Sequence, residues 1–237
     1  MGIWQLLALA LGPVAFLFTY VYLRDREREP LRYLITSFIL GILIAFPVVW
    51  LSGQLALLLN VSDSDPSPAG RFLYAMAVVA LSEEGMKYLA LRWYAYRKRE
   101  FDEPYDGIMY AVAVSLGFAA IENVLYVFTS EGPDAVQTGL LRMFTAVPAH
   151  AMFGVIMGFF VGRAKFADTR INPLAERLKG LGAAILFHGL YDFFLFLGDT
   201  YLVVFSFVTL ITGIGLARRA IRLHAAISPF RNGPDAA

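Results

Sequence analysis

The sequence predicts an all-α, polytopic membrane protein, a bundle of about seven transmembrane helices with its N-terminus outside and its C-terminus in the cytoplasm. Of the 237 residues, 58% are hydrophobic and 16% are charged, whereas soluble domains carry about 25% charged residues. The apolar residues form runs long enough to cross a bilayer as helices, which takes about 20 residues each. Basic residues gather in alternate connections between these runs. We expect residues 1–237 to form one integral membrane domain in contact with the lipid bilayer.

Seven apolar segments follow one another along the chain. Their predicted limits are 3–23, 33–59, 72–95, 107–129, 140–162, 181–197 and 201–217. The first has no basic residue before it and lacks the features of a cleaved signal, so we expect a retained span. In the fifth, Gly154, Gly158 and Gly162 form two overlapping GxxxG patterns, which are typical of close helix packing.

The charges of the connections orient the bundle. Most of the 20 Lys and Arg residues lie in four regions, which follow the first, third, fifth and seventh segments. The alternate connections instead carry acidic residues: Asp63, Asp65, Glu131, Asp134 and Asp199. Because basic loops stay in the cytoplasm, this pattern predicts an outside N-terminus.

Composition also excludes several kinds of function. The formal net charge is +1, which gives no reason to expect a nucleic-acid partner. The chain contains no cysteine, so disulfides, thiol catalysis and thiolate metal ligands are excluded. The sequence does not determine an oligomeric state.

Ionisable side chains occur inside four successive apolar segments. They are Glu83, Glu84 and Lys87 in the third, Glu122 in the fourth, His150 in the fifth, and His188 and Asp192 in the sixth. An ionised group at the bilayer centre costs about 2.5–3.5 kcal/mol on insertion scales, so each residue is a candidate for function. Counted from the outer ends of their helices at 1.5 Å per residue, the two Glu positions, His150, His188 and Glu122 lie within roughly 8–9 Å in depth. Such groups can converge on one site.

Helix geometry gives the glutamates of the third segment different roles. Lys87 is four residues from Glu83 and three from Glu84, so it can pair with either carboxylate. Adjacent residues point about 100° apart, so one glutamate should face the reaction centre while the other pairs with Lys87 or orients a neighbour. We expect Glu83 to activate water and Glu84 to pair with Lys87. Asn123, Tyr126 and Asp192 are predicted supporting residues.

Two hydrolytic mechanisms fit these residues. Glu122, His150 and His188 could hold Zn²⁺ and leave a fourth position for water, with a carboxylate of Glu83 or Glu84 as base. Zinc lowers the pKa of its bound water toward about 7. Alternatively, a buried glutamate activates water directly while the histidines stabilise the oxyanion. The sequence leaves both mechanisms open.

A proton-coupled transporter is the alternative of another class, because transporters also bury Glu, His and Lys in proton relays. The sequence shows no inverted repeat and no pair of interrupted segments in matching halves, which are features of many transporters.

Four motifs in chain order carry a family resemblance. They are Glu83-Glu84-x-x-Lys87, Phe118-x-x-x-Glu122-Asn123-x-x-Tyr126, Pro148-x-His150 and His188-x-x-Tyr191-Asp192. Together, over residues from about 70 to 195, they resemble the PrsW family of intramembrane proteases. That family looks related to the CAAX prenyl proteases and bacteriocin-processing proteins. Glu122 replaces a His of those relatives and Asp192 a common Asn, which makes a prenyl-protein substrate doubtful.

The resemblance implies an activity and a location. It implies an endopeptidase that cleaves a membrane-anchored protein, with an anti-sigma factor as the family's known kind of substrate. Members are usually classed as metalloproteases, whereas the relatives have been argued to be glutamate enzymes, so Zn²⁺ is expected but the metal-free alternative stays open. The resemblance also implies the cytoplasmic membrane of a prokaryote.

Overall fold

The computed structural model describes residues 2–130 and 133–230, and these ranges contain helices and no β-strand. The α-helices are α1 (Ile3–Tyr22), α2 (Leu31–Leu59), α3 (Pro68–Leu73), α4 (Leu81–Trp93), α5 (Pro104–Thr129), α6 (Pro133–Phe144), α7 (Ala146–Lys165), α8 (Pro173–Phe196) and α9 (Val204–Ile227). A π-helical stretch, Tyr74–Ala80, joins α3 to α4, and a short 3₁₀ turn, Ala95–Arg97, follows α4. The all-α prediction is confirmed. Glu131 of the predicted outer loop and Arg231 lie outside the described residues.

Six helical segments among the described residues are long and apolar enough to cross a membrane. They are Ile3–Tyr22, Leu31–Leu59, Pro104–Thr129, Asp134–Lys165, Pro173–Phe196 and Val204–Ile227. The third predicted span, 72–95, is helical from Pro68 to Trp93 through α3, the π-helical stretch and α4. It carries the charges of Glu83, Glu84 and Lys87, which lower its hydropathy. The predicted seven-helix bundle therefore matches the structure, with one helix that is polar in its middle.

The predicted fifth span, 140–162, is divided in the structure. Helix α6 begins at Pro133 and ends at Phe144, and Thr145 adopts φ −122° and ψ −75° before α7 begins. Pro148 explains the break, because a proline has no N–H to donate and its ring clashes with the carbonyl four residues earlier. That carbonyl belongs to Phe144, the last residue of α6.

The last two helices are longer than predicted. Helix α8 begins at Pro173 instead of 181, and α9 ends at Ile227 instead of 217. Leu, Ala and Arg occur in both extensions, and these residues favour helix. Asn172 caps α8, since its side chain accepts hydrogen bonds from the backbone N–H groups of Leu174 and Ala175.

The core of the bundle is the contact between α5 and α7. Most side chains of both helices are buried. A Cβ added at Gly158 would overlap the carbonyl of Gly107, and one added at Gly162 would overlap the carbonyl of Pro104. The predicted role of these glycines in close helix packing is confirmed. The approach brings His150 of α7 beside Glu122 of α5.

The π-helical stretch sets the position of α4. The Ser82 hydroxyl donates to the carbonyl oxygens of Val78 (2.5 Å) and Val79 (3.0 Å), and its oxygen lies 2.6 Å from the Ser52 hydroxyl of α2. Directly after Ser82, Glu83 and Glu84 lie in the interior between α5, α7 and α8.

Candidate active site

Lys87 lies at the centre of a buried group of charged side chains. Its Nζ donates to Glu84 Oε1 at 2.7 Å and to Glu83 Oε2 at 3.0 Å, and it lies 4.2 Å from the ring centroid of Phe118. Glu84 is 0% exposed, Lys87 2% and Glu83 7%. The sequence predicted Glu84 as the partner of Lys87, whereas the structure pairs the ammonium with both carboxylates.

His150 uses both ring nitrogens for contacts within the protein. Nδ1 lies 3.1 Å from Lys87 Nζ, and Nε2 lies 2.8 Å from Glu122 Oε2. An ammonium has only donors and a carboxylate only acceptors, so the network assigns the tautomer in which Nδ1 accepts and Nε2–H donates. His150 thus connects Lys87 to Glu122 and has no ring nitrogen left for a metal in this arrangement.

The imidazole of His188 is held in place by Glu84 and Phe153. Its Nδ1 lies 3.0 Å from Glu84 Oε1, and its ring stacks on Phe153 with centroids 4.6 Å apart. Its Nε2 lies 3.2 Å from Asp192 Oδ2 and 4.0 Å from Glu83 Oε2. A carboxylate that orients Nδ1–H and leaves Nε2 toward a reactive position is the usual arrangement around histidines that bind metals.

Glu122 binds a cation that the sequence analysis did not identify. Arg142 of α6 donates to Glu122 Oε2 at 2.8 Å and to Asn123 Oδ1 at 2.7 Å, and its guanidinium lies 4.0 Å from the ring centroid of Tyr126. Asn123 also donates to the carbonyl of Ala10, which attaches α5 to α1. Arg142 is not among the residues identified from the sequence, although it lies inside the predicted span 140–162, where any charge is a candidate for function.

A cavity of about 980 Å³ reaches this group from one side. Its polar wall includes Glu83, Glu122, His150, His188 and Asp192, whereas Glu84 and Lys87 do not line it. Apolar side chains of α2, α5 and α9 form much of the remaining wall, among them Val48, Phe118 and Phe207. The cavity also touches Asp63, in the connection predicted to be extracytoplasmic. Of the predicted catalytic residues, Glu83, Glu122, His150 and His188 therefore line one cavity. Glu84 does not line it and lies buried beside Lys87.

The donor groups near the cavity fit a metal ion. Glu83, Glu84 and His188 each have a ligand atom within 4.8 Å of the other two, and Glu84 Oε2 is buried without a hydrogen-bond partner. Two carboxylates and an imidazole are ligand types that zinc accepts. The predicted ligand set shares only His188 with this group, because Glu122 and His150 lie on the other side of Lys87.

The chain is similar to known proteins over most of its length. A family model described as PrsW family intramembrane metalloprotease matches residues 29–216. The chain is 38% identical to Protease PrsW of Geobacillus kaustophilus (strain HTA426) over 196 residues, 81% of this chain and 80% of that protein. It is 33% identical to Protease PrsW of Bacillus subtilis (strain 168) over 195 residues, 80% of this chain and 82% of that protein.

A third relative, Protease PrsW of Clostridioides difficile (strain 630), is 32% identical over 209 residues, 87% of this chain and 86% of that protein. No solved structure matches the chain. The similarity favours the protease prediction over the transporter and indicates an integral protein of a prokaryotic membrane. The chain belongs to the PrsW family of intramembrane metalloproteases.

Proposed function

We propose that the protein cleaves a membrane-anchored protein substrate in the 980 Å³ cavity, with Glu83 as the group that takes the proton of the attacking water. The observation that carries this proposal is the different exposure of the two adjacent glutamates. Glu83 is part of the cavity wall, whereas Glu84 is 0% exposed. A general base must be within reach of the water that it activates, and of the pair only Glu83 meets this condition.

Glu84 acts as a positioning residue. Its Oε1 accepts from Lys87 at 2.7 Å and lies 3.0 Å from His188 Nδ1. These contacts hold the imidazole with Nε2 between Glu83 and Asp192. Lys87 balances the charge of the two carboxylates and fixes their directions, which are different because the residues are adjacent on a helix.

Arg142 and Glu122 also line the cavity. Arg142 lines the cavity while it contacts Glu122, and it is the cationic side chain in that lining. Attack on a peptide carbonyl creates negative charge on the oxygen, and a fixed cation in a dry site stabilises that charge strongly. We therefore assign oxyanion stabilisation to Arg142 and its orientation to Glu122.

The family description names a metal, and the residues that would hold it here are Glu83, Glu84 and His188. A bound zinc supplies a water of lowered pKa and polarises the carbonyl. The metal set derived from the sequence, Glu122, His150 and His188, is the competing assignment. It is less well supported, because His150 already bonds to Lys87 and Glu122.

The substrate we propose is a membrane-anchored protein cut near the extracytoplasmic side, and an anti-sigma factor is the kind that the family resemblance implies. The cavity supports this position, because it extends to Asp63 in the predicted outer connection. The proposed location is the cytoplasmic membrane.

Cleavage of a membrane-anchored model substrate in proteoliposomes tests the assignment. We expect Glu83→Gln, Glu122→Gln, His150→Ala and His188→Ala to abolish cleavage, since loss of a general base alone costs about 10²–10⁴-fold in rate. Glu84→Gln should retain more activity than Glu83→Gln. The matched control is Glu176→Gln, a buried carboxylate of α8 outside the cavity lining that pairs with Lys179. Cleavage at the wild-type rate by both Glu83→Gln and Glu84→Gln would overturn the proposal.

Metal analysis of the same purified variants separates the ligand sets. We expect zinc in the wild type, its loss in His188→Ala, a lower but measurable content in Glu84→Gln, where the amide oxygen can still act as a ligand, and its retention in Glu122→Gln. Loss in Glu122→Gln together with retention in Glu84→Gln would assign the metal to Glu122, His150 and His188 instead. Full activity of a wild-type protein that contains no metal would establish the metal-free glutamate mechanism.

A further inference from the structure

A second group of carboxylates lies at the opposite end of the bundle, on the side predicted to be cytoplasmic. Asp25 belongs to the connection between α1 and α2, while Glu103 and Asp106 begin α5. One carboxylate oxygen of each lies within 4.8 Å of the other two. Glu29 lies beside them and accepts a hydrogen bond from Tyr110. All four side chains are buried, with exposures of 5% for Asp25, 4% for Glu29 and 1% for Glu103 and Asp106.

These carboxylates lack an ion-pair partner in the part of the chain that the structure describes. Both side-chain oxygens of Asp25 are buried without a hydrogen bond. The Glu103 side chain is buried as well and caps α5 at the backbone N–H of Asp106. Asp106 Oδ2 accepts from the backbone N–H groups of Asp102 and Glu103, each at 2.7 Å. None of the ion pairs between described residues includes any of the four carboxylates, so within residues 2–130 and 133–230 four acidic groups share a buried space without a salt bridge.

Such an arrangement requires compensating positive charge, since burying an unpaired ionised carboxylate is very costly. A cation bound between the carboxylates would supply that charge.

We propose that Asp25, Glu103 and Asp106 bind a hard divalent cation, Ca²⁺ or Mg²⁺, that links the α1–α2 connection to the start of α5. The ligands are oxygen atoms alone, which suits these ions better than zinc. Two ligands of one Ca²⁺ can lie up to about 4.6–5.2 Å apart, because each Ca–O distance is about 2.3–2.6 Å. The three oxygen atoms lie within 4.8 Å of one another, which is compatible with one ion between them, and the titrations below distinguish Ca²⁺ from Mg²⁺. The site is separate from the protease cavity and does not depend on the proposed mechanism.

Thermal unfolding of the full-length protein in a non-ionic detergent tests the site. The protein is stripped with EDTA, exchanged into chelator-free buffer and titrated separately with CaCl₂ and MgCl₂. At a cation concentration of one hundred times Kd, we expect the wild-type Tm to rise by about 5–10 °C. The arm with the lower Kd identifies the preferred ion. In Asp25→Asn/Glu103→Gln the rise should disappear, because two of the three ligands have lost their charge.

Glu27→Gln is the matched control, because Glu27 is an exposed carboxylate of the same connection and should leave the rise unchanged. Glu83→Gln should also keep it, which separates this site from the active site. If the double variant fails to fold, Tb³⁺ binding to the wild type still tests the site. Tb³⁺ luminescence is excited through Tyr105 and Tyr110, and Ca²⁺ or Mg²⁺ is added to compete for the site and lower the signal. Two results would refute the proposal. In one, the wild type shows neither a saturable rise in Tm nor a Tb³⁺ signal that Ca²⁺ or Mg²⁺ lowers. In the other, the Tm of the double variant rises as much as that of the wild type.

Discussion

Replacement of Lys87 by Met removes the positive charge from the centre of the active site and keeps most of the apolar stem. The ammonium lies 2.7 Å from Glu84, 3.0 Å from Glu83 and 3.1 Å from His150. Its loss leaves two buried carboxylates without their cation and His150 Nδ1 without its donor. Removing one partner of a buried ion pair costs about 3–5 kcal/mol. At about 2–4 °C per kcal/mol for a chain of this size, the Tm should fall by about 6–20 °C.

The chain offers a closely matched control in Lys179→Met. Lys179 pairs with Glu176 at 2.6 Å with the same three-residue spacing as Lys87 and Glu84. The difference is solvent, because the Lys179 side chain is 60% exposed and that of Lys87 is 2% exposed. Glu176 is itself buried, but it keeps Arg163 at 3.6 Å when Lys179 is replaced. This variant should therefore lose clearly less than Lys87→Met, on the order of 1 kcal/mol or about 2–4 °C.

Differential scanning fluorimetry in detergent and the cleavage assay are measured on both variants. Adding Glu83→Gln to Lys87→Met should recover part of the lost stability, since it removes one of the uncompensated charges, but no activity. A Lys87→Met protein that unfolds within the range of the control would refute the reasoning. If such a protein is also inactive, Lys87 belongs to the chemistry and its role in folding is minor.

Three further predictions concern other parts of the molecule. Arg142→Gln should lower kcat by about a hundredfold or more if the guanidinium stabilises the oxyanion, and an unchanged kcat would remove Arg142 from the mechanism. Gly158→Ala should destabilise the bundle by about 1–3 kcal/mol, because the added Cβ meets the backbone of α5. Gly182→Ala is the control: no atom lies within 4 Å of its added Cβ, so it should stabilise the protein by up to about 1 kcal/mol. Equal melting temperatures of the two variants would contradict the packing argument. In this cysteine-free chain, Ser64→Cys should react with an impermeant maleimide on intact cells and Arg99→Cys should not, and the reverse pattern would invert the topology.

The sequence predicts the membrane fold and the residues of the site because both are indicated by patterns that are uncommon in proteins. A charged residue in an apolar run is unusual, so Glu83, Glu122, His150 and His188 could be recognised one by one. Their common depth followed from counting residues along helices, and the structure places all four around one cavity.

The contacts between these residues could not be predicted in the same way. Lys87 has two carboxylates within reach by spacing, and only the structure shows that it contacts both, together with His150 of α7. Likewise, the sequence could not show that both ring nitrogens of His150 have partners within the protein. The break at Thr145, which Pro148 explains, divides the predicted fifth span into α6 and α7.

The buried carboxylates of Asp25, Glu103 and Asp106 were missed for a different reason. They lie in or beside polar connections, where acidic residues are ordinary, and Asp106 was not part of the predicted site. Their burial results from the way in which the α1–α2 connection folds onto the start of α5, which is a contact between segments far apart in sequence.

The π-helical stretch Tyr74–Ala80 has a consequence for how this helix can vary between related chains. A π-helical turn behaves as a helix that has gained one residue, and each residue turns an α-helix by about 100°. Met76 within the stretch packs against Gly189 of α8, while Glu84 beyond it meets His188 of the same helix. A deletion of one residue inside Tyr74–Ala80 would restore regular α-helix but could no longer satisfy both contacts. Insertions and deletions should therefore be tolerated in the connection before Pro68 and excluded from the seven residues that precede Leu81.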